Sequence, residues 1–147
     1  MFAVPANTIA STATPATVHP ALIARQYATE RERWAHLLRY DPDERFAALV
    51  DATDGQEVWL MSWLPGQHTD RHDHGAATGA FTLVSGVLTE HVRGVTHELT
   101  VGQSRVFGPG YVHQVRNDGT DPAVSLHVYR AVRTMRPVSF STDRAAG

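Results

Sequence analysis

From residue 57 onward the sequence consists of short apolar or alternating runs, separated from one another by Gly, Pro, Asn and Asp. The runs are "EVWLMSW", "GAFTLVSG", "VLTEHV", "VTHELTV", "SRVF", "VHQVRN" and "AVSLHVY". Runs of this length and composition are typical of β-strands. The breaks between them, such as "LPGQ", "VRGV" and "GPG", are too short to hold a crossover helix. The pattern therefore predicts an antiparallel, all-β domain of the sandwich or barrel type.

The segment that precedes these runs has a helical pattern instead. Apolar residues recur at helical spacing between Pro20 and Tyr40, and they are Ile23, Tyr27, Trp34, Leu37 and Leu38. We expect one amphipathic helix there, packed on the outside of the sheet. The stretch "DPDERFAALV" begins like a second helix, with Asp41 as a possible N-cap and Pro42 at the first position.

The length of 147 residues is that of one domain. We expect residues 20–140 to form it. The Ala-, Thr- and Pro-rich residues 1–19 are predicted to be a flexible N-terminal arm, and residues 141–147 a C-terminal tail.

Composition excludes several kinds of chemistry. The chain has no cysteine, so disulfides, thiolate-bound zinc, iron–sulfur clusters and cysteine nucleophiles are excluded. All 13 basic residues are arginine, which removes Schiff-base catalysis and the P-loop lysine. With a net charge of −2 and no basic stripe, we expect no nucleic-acid partner. No apolar run is long enough to cross a membrane, so we expect a cytoplasmic protein.

Three histidines suggest a metal site. His72 and His74 are one residue apart, so on an extended chain both imidazoles point to one side and Asp73 points away. His113 follows the turn "FGPGYV" and opens another strand. Three neutral imidazoles suit Fe, Ni, Cu or Zn and leave coordination positions open for water or substrate.

The spacing around these histidines closely resembles the two signature motifs of the cupin superfamily. Gly66, five residues and the His-x-His pair form the first motif with Gly86, and "GPGYVHQVRN" forms the second. The resemblance implies a jelly-roll-like antiparallel β-barrel with His72, His74 and His113 as metal ligands. Many cupins carry a glutamate as a fourth ligand, but here Gly79 occupies that place. A divalent ion held by neutral imidazoles alone keeps its full charge and favours an anionic substrate ligand such as a thiolate.

The last strand-like run, "AVSLHVY", presents two different faces. Ser125, His127 and Tyr129 fall on one face, and Val124, Leu126 and Val128 fall on the other. Either face could point inward. Ser-x-His-x-Tyr after a His-x-His pair and a later histidine resembles the cysteine dioxygenase family of thiol dioxygenases, and the chain looks like a bacterial member.

That resemblance implies mononuclear non-haem iron(II) on the three histidines, although Ni, Zn or Cu could replace it in a purified sample. Tyr129 would point its hydroxyl at the open face, His127 would hold the phenol, and Ser125 would orient His127. The implied reaction adds both atoms of O2 to the sulfur of a small thiol to give a sulfinate. Some family members crosslink a cysteine to the tyrosine. Because Gly79 stands at the cysteine's place, we expect Tyr129 to be unmodified.

The substrate is harder to predict, because the family's cysteine-specific members carry a Tyr-x-Arg pair that binds the substrate carboxylate. In "RFAALVD" that pair falls on Ala47 and Leu49, and Arg45 lies one strand period earlier. Either Arg45 or another arginine, such as Arg71 or Arg130, replaces the missing one, or the substrate differs. Small residues at 47 and 49 would leave room for a larger thiol. The candidates are cysteine, 3-mercaptopropionate, cysteamine and an ergothioneine-like thione.

Other interpretations remain open. Trp63 and Phe81 lie on apolar strands and could be core, or they could stack on a cationic substrate. The chain could also be a metal-bound cupin that binds a small molecule without turnover, or an isomerase or decarboxylase that uses Zn, Mn or Ni. All of these share the histidines. Gly79 and the Ser125, His127, Tyr129 strand favour thiol oxidation.

Overall fold

The computed structural model describes residues 18–131, and within that range it contains one α-helix and eight β-strands. The helix, α1, spans Pro20–Thr29, and two short 3-10 turns follow it at Arg31–Arg33 and Ala35–Leu37. The strands are β1 (Phe46–Thr53), β2 (Gln56–Trp63), β3 (Thr78–Ser85), β4 (Leu88–Val92), β5 (Val95–Leu99), β6 (Ser104–Phe107), β7 (Gln114–Arg116) and β8 (Ala123–Arg130). The predicted tail and all of the predicted arm except Val18 and His19 lie outside the described residues.

The strands form two antiparallel sheets. One has five strands in the order β1-β2-β8-β3-β6, and the other has three in the order β5-β4-β7. Each of the seven predicted runs forms a strand, because each alternates or is bounded by turn residues. The prediction of an all-β cupin fold with a helix outside it is confirmed. Among the described residues no continuous strand ladder joins the two sheets into one closed barrel.

Two apolar layers hold these elements together. The inner layer lies between the sheets and joins residues such as Trp63 and Phe81 to Leu88 and Leu99 on the other sheet. The outer layer packs α1 against the back of the five-stranded sheet, with Trp34 completely buried. A small domain thus buries apolar surface on both faces of its larger sheet.

Strand β8 lies between the two layers and is buried almost throughout. Its apolar residues Val124, Leu126 and Val128 pack toward the helix side. By alternation, its polar residues point between the sheets. Burying a hydroxyl, an imidazole and a phenol costs free energy unless they form hydrogen bonds, so this face requires polar partners.

The prediction of a single helix from Pro20 to Tyr40 is wrong, because α1 ends at Thr29. Its start matches the prediction: His19 Nδ1 accepts from the amide nitrogen of Ala21 at 3.0 Å, and Pro20 follows the cap. After Glu30 leaves the helical conformation, Trp34 folds back and donates its indole N–H to the carbonyl of Tyr27 at 2.7 Å. No helix of the described range has the length and apolar character of a membrane span.

The predicted second helix at "DPDERFAALV" is also wrong. Asp41 does accept a hydrogen bond, from the amide nitrogen of Asp43 at 2.9 Å, but this closes only a turn. The chain then extends into β1, which pairs along its length with β2. Sheet pairing outweighs the local helical preference of the alanines here.

Candidate metal centre

His72, His74 and His113 come together between the sheets, and one ring nitrogen from each lies within 4.8 Å of the others. His72 and His113 form an isolated antiparallel bridge, with reciprocal backbone hydrogen bonds of 3.0 and 2.9 Å. The His-x-His pair therefore lies on an extended segment held by this bridge, outside the named strands. Asp73 is exposed and accepts from the amide nitrogen of Gly75 at 2.8 Å, away from the cluster.

The hydrogen bonds of these rings fit a metal ion. His72 Nδ1 lies 2.7 Å from the backbone carbonyl of Asp70, which can only accept, so that nitrogen carries the proton. His113 Nδ1 lies 2.7 Å from a carboxylate oxygen of Glu90 and is protonated for the same reason. In the neutral form of each ring, Nε2 is then the nitrogen with the free lone pair. His113 Nε2 faces His74 Nε2 at 3.3 Å, an arrangement suited to a shared cation. The three-histidine group could hold a metal ion.

Burial keeps the rings of His72 and His74 neutral. The pKa of His72 is lowered to about 4 and that of His74 to about 2, mainly by burial, and the neighbouring histidines and Arg45 contribute to both shifts. A neutral imidazole is the form that binds a metal, so these ligands need not lose a proton at neutral pH.

Ser125, His127 and Tyr129 form a hydrogen-bonded chain beside the histidines. Trp63 Nε1 donates to Ser125 Oγ at 2.9 Å, and Ser125 Oγ lies 2.7 Å from His127 Nε2. His127 Nδ1 is 3.4 Å from the Tyr129 hydroxyl, a longer and weaker contact. Burial lowers the pKa of His127 and raises that of Tyr129, so both are neutral. The Tyr129 ring lies 4.9 Å from the His74 ring, which brings the phenol to the three-histidine group.

Trp63 and Phe81, two of the candidate substrate contacts, are fully buried. Phe81 stacks on His127 with 5.0 Å between ring centroids and 11° between ring planes. Both residues therefore pack against the Ser125, His127, Tyr129 chain and hold it in place.

Phe107 occupies the space that a side chain at position 79 would need. A Cβ on Gly79 would lie 2.6 Å from Phe107 Cζ and would also overlap the carbonyl oxygen of Val128. The Phe107 ring stacks on His74, with centroids 4.6 Å apart. This packing explains why neither an acidic ligand nor a crosslinking cysteine fits there.

Arg45 reaches the site from the segment just before β1. Its guanidinium lies 5.2 Å from the Trp63 ring, and its Nη1 donates to Met61 Sδ at 3.0 Å. Its Nε is buried and has no hydrogen-bond partner among residues 18–131. Burial lowers the pKa of Arg45, and its charge lowers the pKa values of His72 and His74. A buried guanidinium near the histidines whose Nε has no hydrogen-bond acceptor in the described range is suited to an anionic ligand.

The remaining predicted substrate contacts lie at the edge of the site or outside it. Ala47 and Leu49 pair with Met61 and Trp59 of β2, and both are exposed. Arg71 is also exposed.

Sequence reasoning missed Glu90, Arg105 and Tyr111. Glu90 is completely buried and accepts from His113 Nδ1 at 2.7 Å and from Arg105 Nε at 2.6 Å. Burial raises the pKa of Glu90, but the hydrogen bonds and charges of His113 and Arg105 outweigh it and lower the pKa overall. The sequence does contain a signal for Glu90: it comes two residues after the apolar Leu88 in "VLTEHV", so on a strand both side chains point to the same face.

Comparison with known proteins agrees with this fold and site. A structure of the TT1209 protein from Thermus thermophilus is 26% identical, with a TM-score of 0.62, over 66% of this chain and 92% of that chain. A Klebsiella pneumoniae protein with a double-stranded β-helix domain is also 26% identical, with a TM-score of 0.61, over 65% of this chain and 84% of its own. A cupin superfamily protein from Desulfitobacterium hafniense shares the fold, with a TM-score of 0.59 at 12% identity over 67% of this chain and 88% of its own.

The model of the family "Cysteine dioxygenase type I" matches residues 15–136, a range that includes both sheets, the three histidines and the Ser125, His127, Tyr129 strand. The chain therefore belongs to the cysteine dioxygenase type I family, within the cupin fold.

Proposed function

We propose that this protein is a mononuclear non-haem iron thiol dioxygenase. In this proposal His72, His74 and His113 hold iron(II), and the substrate is a small thiol. The observation that carries it is the position of the Tyr129 ring, 4.9 Å from the His74 ring and at the end of a buried hydrogen-bonded chain. A cupin that only binds a ligand, or one that isomerises or decarboxylates, would have no evident need for this buried polar chain.

The chemistry that iron(II) supplies when bound is activation of a thiolate and of dioxygen, so that both oxygen atoms are added to sulfur to give a sulfinate. The protein supplies orientation and hydrogen bonding. Trp63 donates to Ser125, which favours donation by the Ser125 hydroxyl to His127 Nε2. His127 Nδ1 then carries its proton toward the oxygen of Tyr129, and Tyr129 directs its own O–H to the reacting atoms. Such a preorganised donor stabilises negative charge that develops on oxygen.

The lack of an acidic ligand supports a thiolate substrate. Phe107 covers Gly79 and stacks on His74, so no carboxylate from that position can offset the charge of the ion. A thiolate would supply the missing negative charge. The apolar ring of Phe107 also excludes water from one side of the cluster, which strengthens electrostatic interactions inside it.

Arg45 supports a substrate that carries a carboxylate. Its buried Nε has no partner within residues 18–131, and its charge acts on the histidines. A charge-assisted pair with a substrate carboxylate would satisfy this donor. This favours cysteine, 3-mercaptopropionate or an ergothioneine-like thione over cysteamine, which has no carboxylate. The exposed Ala47 and Leu49 leave room beside Arg45 for the larger candidates.

The test is oxygen uptake by protein loaded anaerobically with iron(II), measured with each of the four candidates and followed by mass spectrometry of the product. We expect uptake that is matched by the addition of two oxygen atoms to one thiol, with cysteamine the poorest substrate. Tight iron binding without uptake on any of the thiols would contradict the proposal. In that event, a change in the spectrum of bound cobalt(II) on thiol addition would favour the cupin that binds without turnover.

A further inference from the structure

Glu90 is a completely buried carboxylate directly behind one of the three clustered histidines. It lies on β4 of the three-stranded sheet, and its Oε2 is 2.7 Å from His113 Nδ1. Its other oxygen accepts from Arg105 Nε at 2.6 Å, and Arg105 comes from β6 of the five-stranded sheet. The Tyr111 hydroxyl lies 3.3 Å from both groups. Both carboxylate oxygens of Glu90 therefore have partners, which are His113, Arg105 and Tyr111.

The three histidines differ in what stands behind them. His72 donates to a neutral backbone carbonyl, and His74 Nδ1 is buried with no hydrogen-bond partner within residues 18–131. Within the described part of the chain, His113 is the only one of the three rings that is hydrogen-bonded to a carboxylate. A carboxylate in this position fixes the ring orientation and makes the opposite nitrogen a stronger electron donor to a metal.

The cluster lacks the acidic ligand that many cupins carry, so the charge of Glu90 matters more to it. Position 79 holds glycine under the Phe107 ring, so the cluster has no acidic side chain at that point. The hydrogen bond between Glu90 and His113 instead connects a buried negative charge to the cluster from behind a ring. Arg105 carries the opposite charge on the other side of Glu90. The Arg105 side chain is 31% exposed, whereas Glu90 and His113 are buried, so solvent reaches this group of three from the arginine.

We propose that Glu90 is the positioning residue of the metal centre, and that Arg105 sets how much of its negative charge reaches His113. This rests on the proposed function only in requiring a metal on the three histidines. Glu90 touches neither substrate nor metal and acts through His113. A purely structural ion pair that ties the two sheets together would affect folding but not the properties of the metal.

The test measures cobalt(II) affinity by chelator competition in Glu90→Ala and Glu90→Gln, with Glu98→Gln as the matched control. Glu98 is exposed on β5 of the same sheet. We expect Glu90→Ala to weaken cobalt(II) binding about 10- to 100-fold. Glu90→Gln, which keeps an acceptor for His113 but loses the charge, should show a smaller loss, and Glu98→Gln should bind within about twofold of the parent protein. Thermal unfolding of each apoprotein ensures that only folded protein is compared, and the near-isosteric Gln variant carries the test if the Ala variant does not fold.

A second measurement separates charge from packing. In iron-loaded protein, Glu90→Gln should raise the Fe(III)/Fe(II) midpoint potential, because a negative charge that stabilises Fe(III) is lost. Arg105→Met should lower it, because the opposing positive charge is lost. Shifts of the same sign in both variants would overturn the role of Arg105, and cobalt(II) affinity within twofold of the parent in both Glu90 variants would overturn that of Glu90. Cobalt(II) binding needs neither thiol nor oxygen, so a protein that fails to oxidise thiols can still pass this test.

Discussion

Replacing Arg45 with Met removes the cation that we propose binds the substrate carboxylate, and it keeps most of the apolar stem. One hydrogen bond to a charged group contributes about 1.5 to 3 kcal/mol. Its loss should therefore lower kcat/KM for a carboxylate-bearing thiol about 10- to 150-fold. The guanidinium is buried against Met61 and Trp63 without an acidic partner in the described chain, so the same change should raise the free energy of unfolding, by on the order of 1 kcal/mol.

The assay compares kcat/KM for each thiol in Arg45→Met with that in Arg71→Met, the matched change at an exposed arginine. We expect a large loss for the carboxylate-bearing thiols in Arg45→Met and little change for cysteamine, whereas Arg71→Met should remain within about twofold throughout. Urea unfolding of the same samples should show that Arg45→Met is no less stable than the parent. An equal loss for cysteamine, or an equal loss in Arg71→Met, would refute the assignment of Arg45.

Four further outcomes test the site. Tyr129→Phe should bind as much iron as the parent protein but form sulfinate about 100-fold more slowly, or consume more oxygen than the sulfinate formed accounts for. An unchanged rate would contradict the role of the phenol. His72→Ala should lose iron by elemental analysis; full occupancy would contradict the ligand set. In the folded apoprotein, burial lowers the pKa of His72 to about 4 and that of His74 to about 2, from the ordinary histidine value of 6.5. Below pH 6.5 these two histidines therefore bind protons in the unfolded chain but not yet in the folded one. Apoprotein stability should therefore be complete above about pH 6.5 and decrease as the pH falls toward about 4; equal urea midpoints at about pH 7.5 and about pH 5 would rule this out. Gly79→Ala should destabilise the fold by about 1 to 3 kcal/mol, because its Cβ would overlap the carbonyl oxygen of Val128 and the Phe107 ring, and an unchanged melting temperature would show that both the strand backbone and the ring can move aside.

Seven of the eight strands could be predicted from the sequence, and the helices only in part. Each strand-like run from residue 57 onward is a short apolar or alternating segment bounded by turn residues, so local chemistry was enough. The segment from Arg31 to Leu38 has helical spacing, yet Trp34 turns back to bond the carbonyl of Tyr27, a contact that no periodicity contains. The alanines of β1 favour a helix locally, and only pairing with β2 places them in a sheet.

The same division holds for the site. His72, His74 and His113 could be found from their spacing, because the motif itself encodes the ligand types. Glu90 and Arg105 could not, since they lie on strands of different sheets and meet only when the sheets pack face to face. An ion pair between distant strands leaves no local pattern beyond an acid at an apolar position.

Strand β8 shows which features of the site the sequence determined and which the tertiary structure decided. The alternation in "AVSLHVY" determined that Ser125, His127 and Tyr129 share one face and that three apolar residues share the other, because successive side chains on a strand point to opposite sides. It did not determine which face points to the three histidines. The packing of α1 on the apolar face decided that, since the helix covers one side of the five-stranded sheet and leaves the polar side to the space between the sheets. Burial of apolar surface against a helix that is distant in the sequence thus orients the residues that we propose for catalysis.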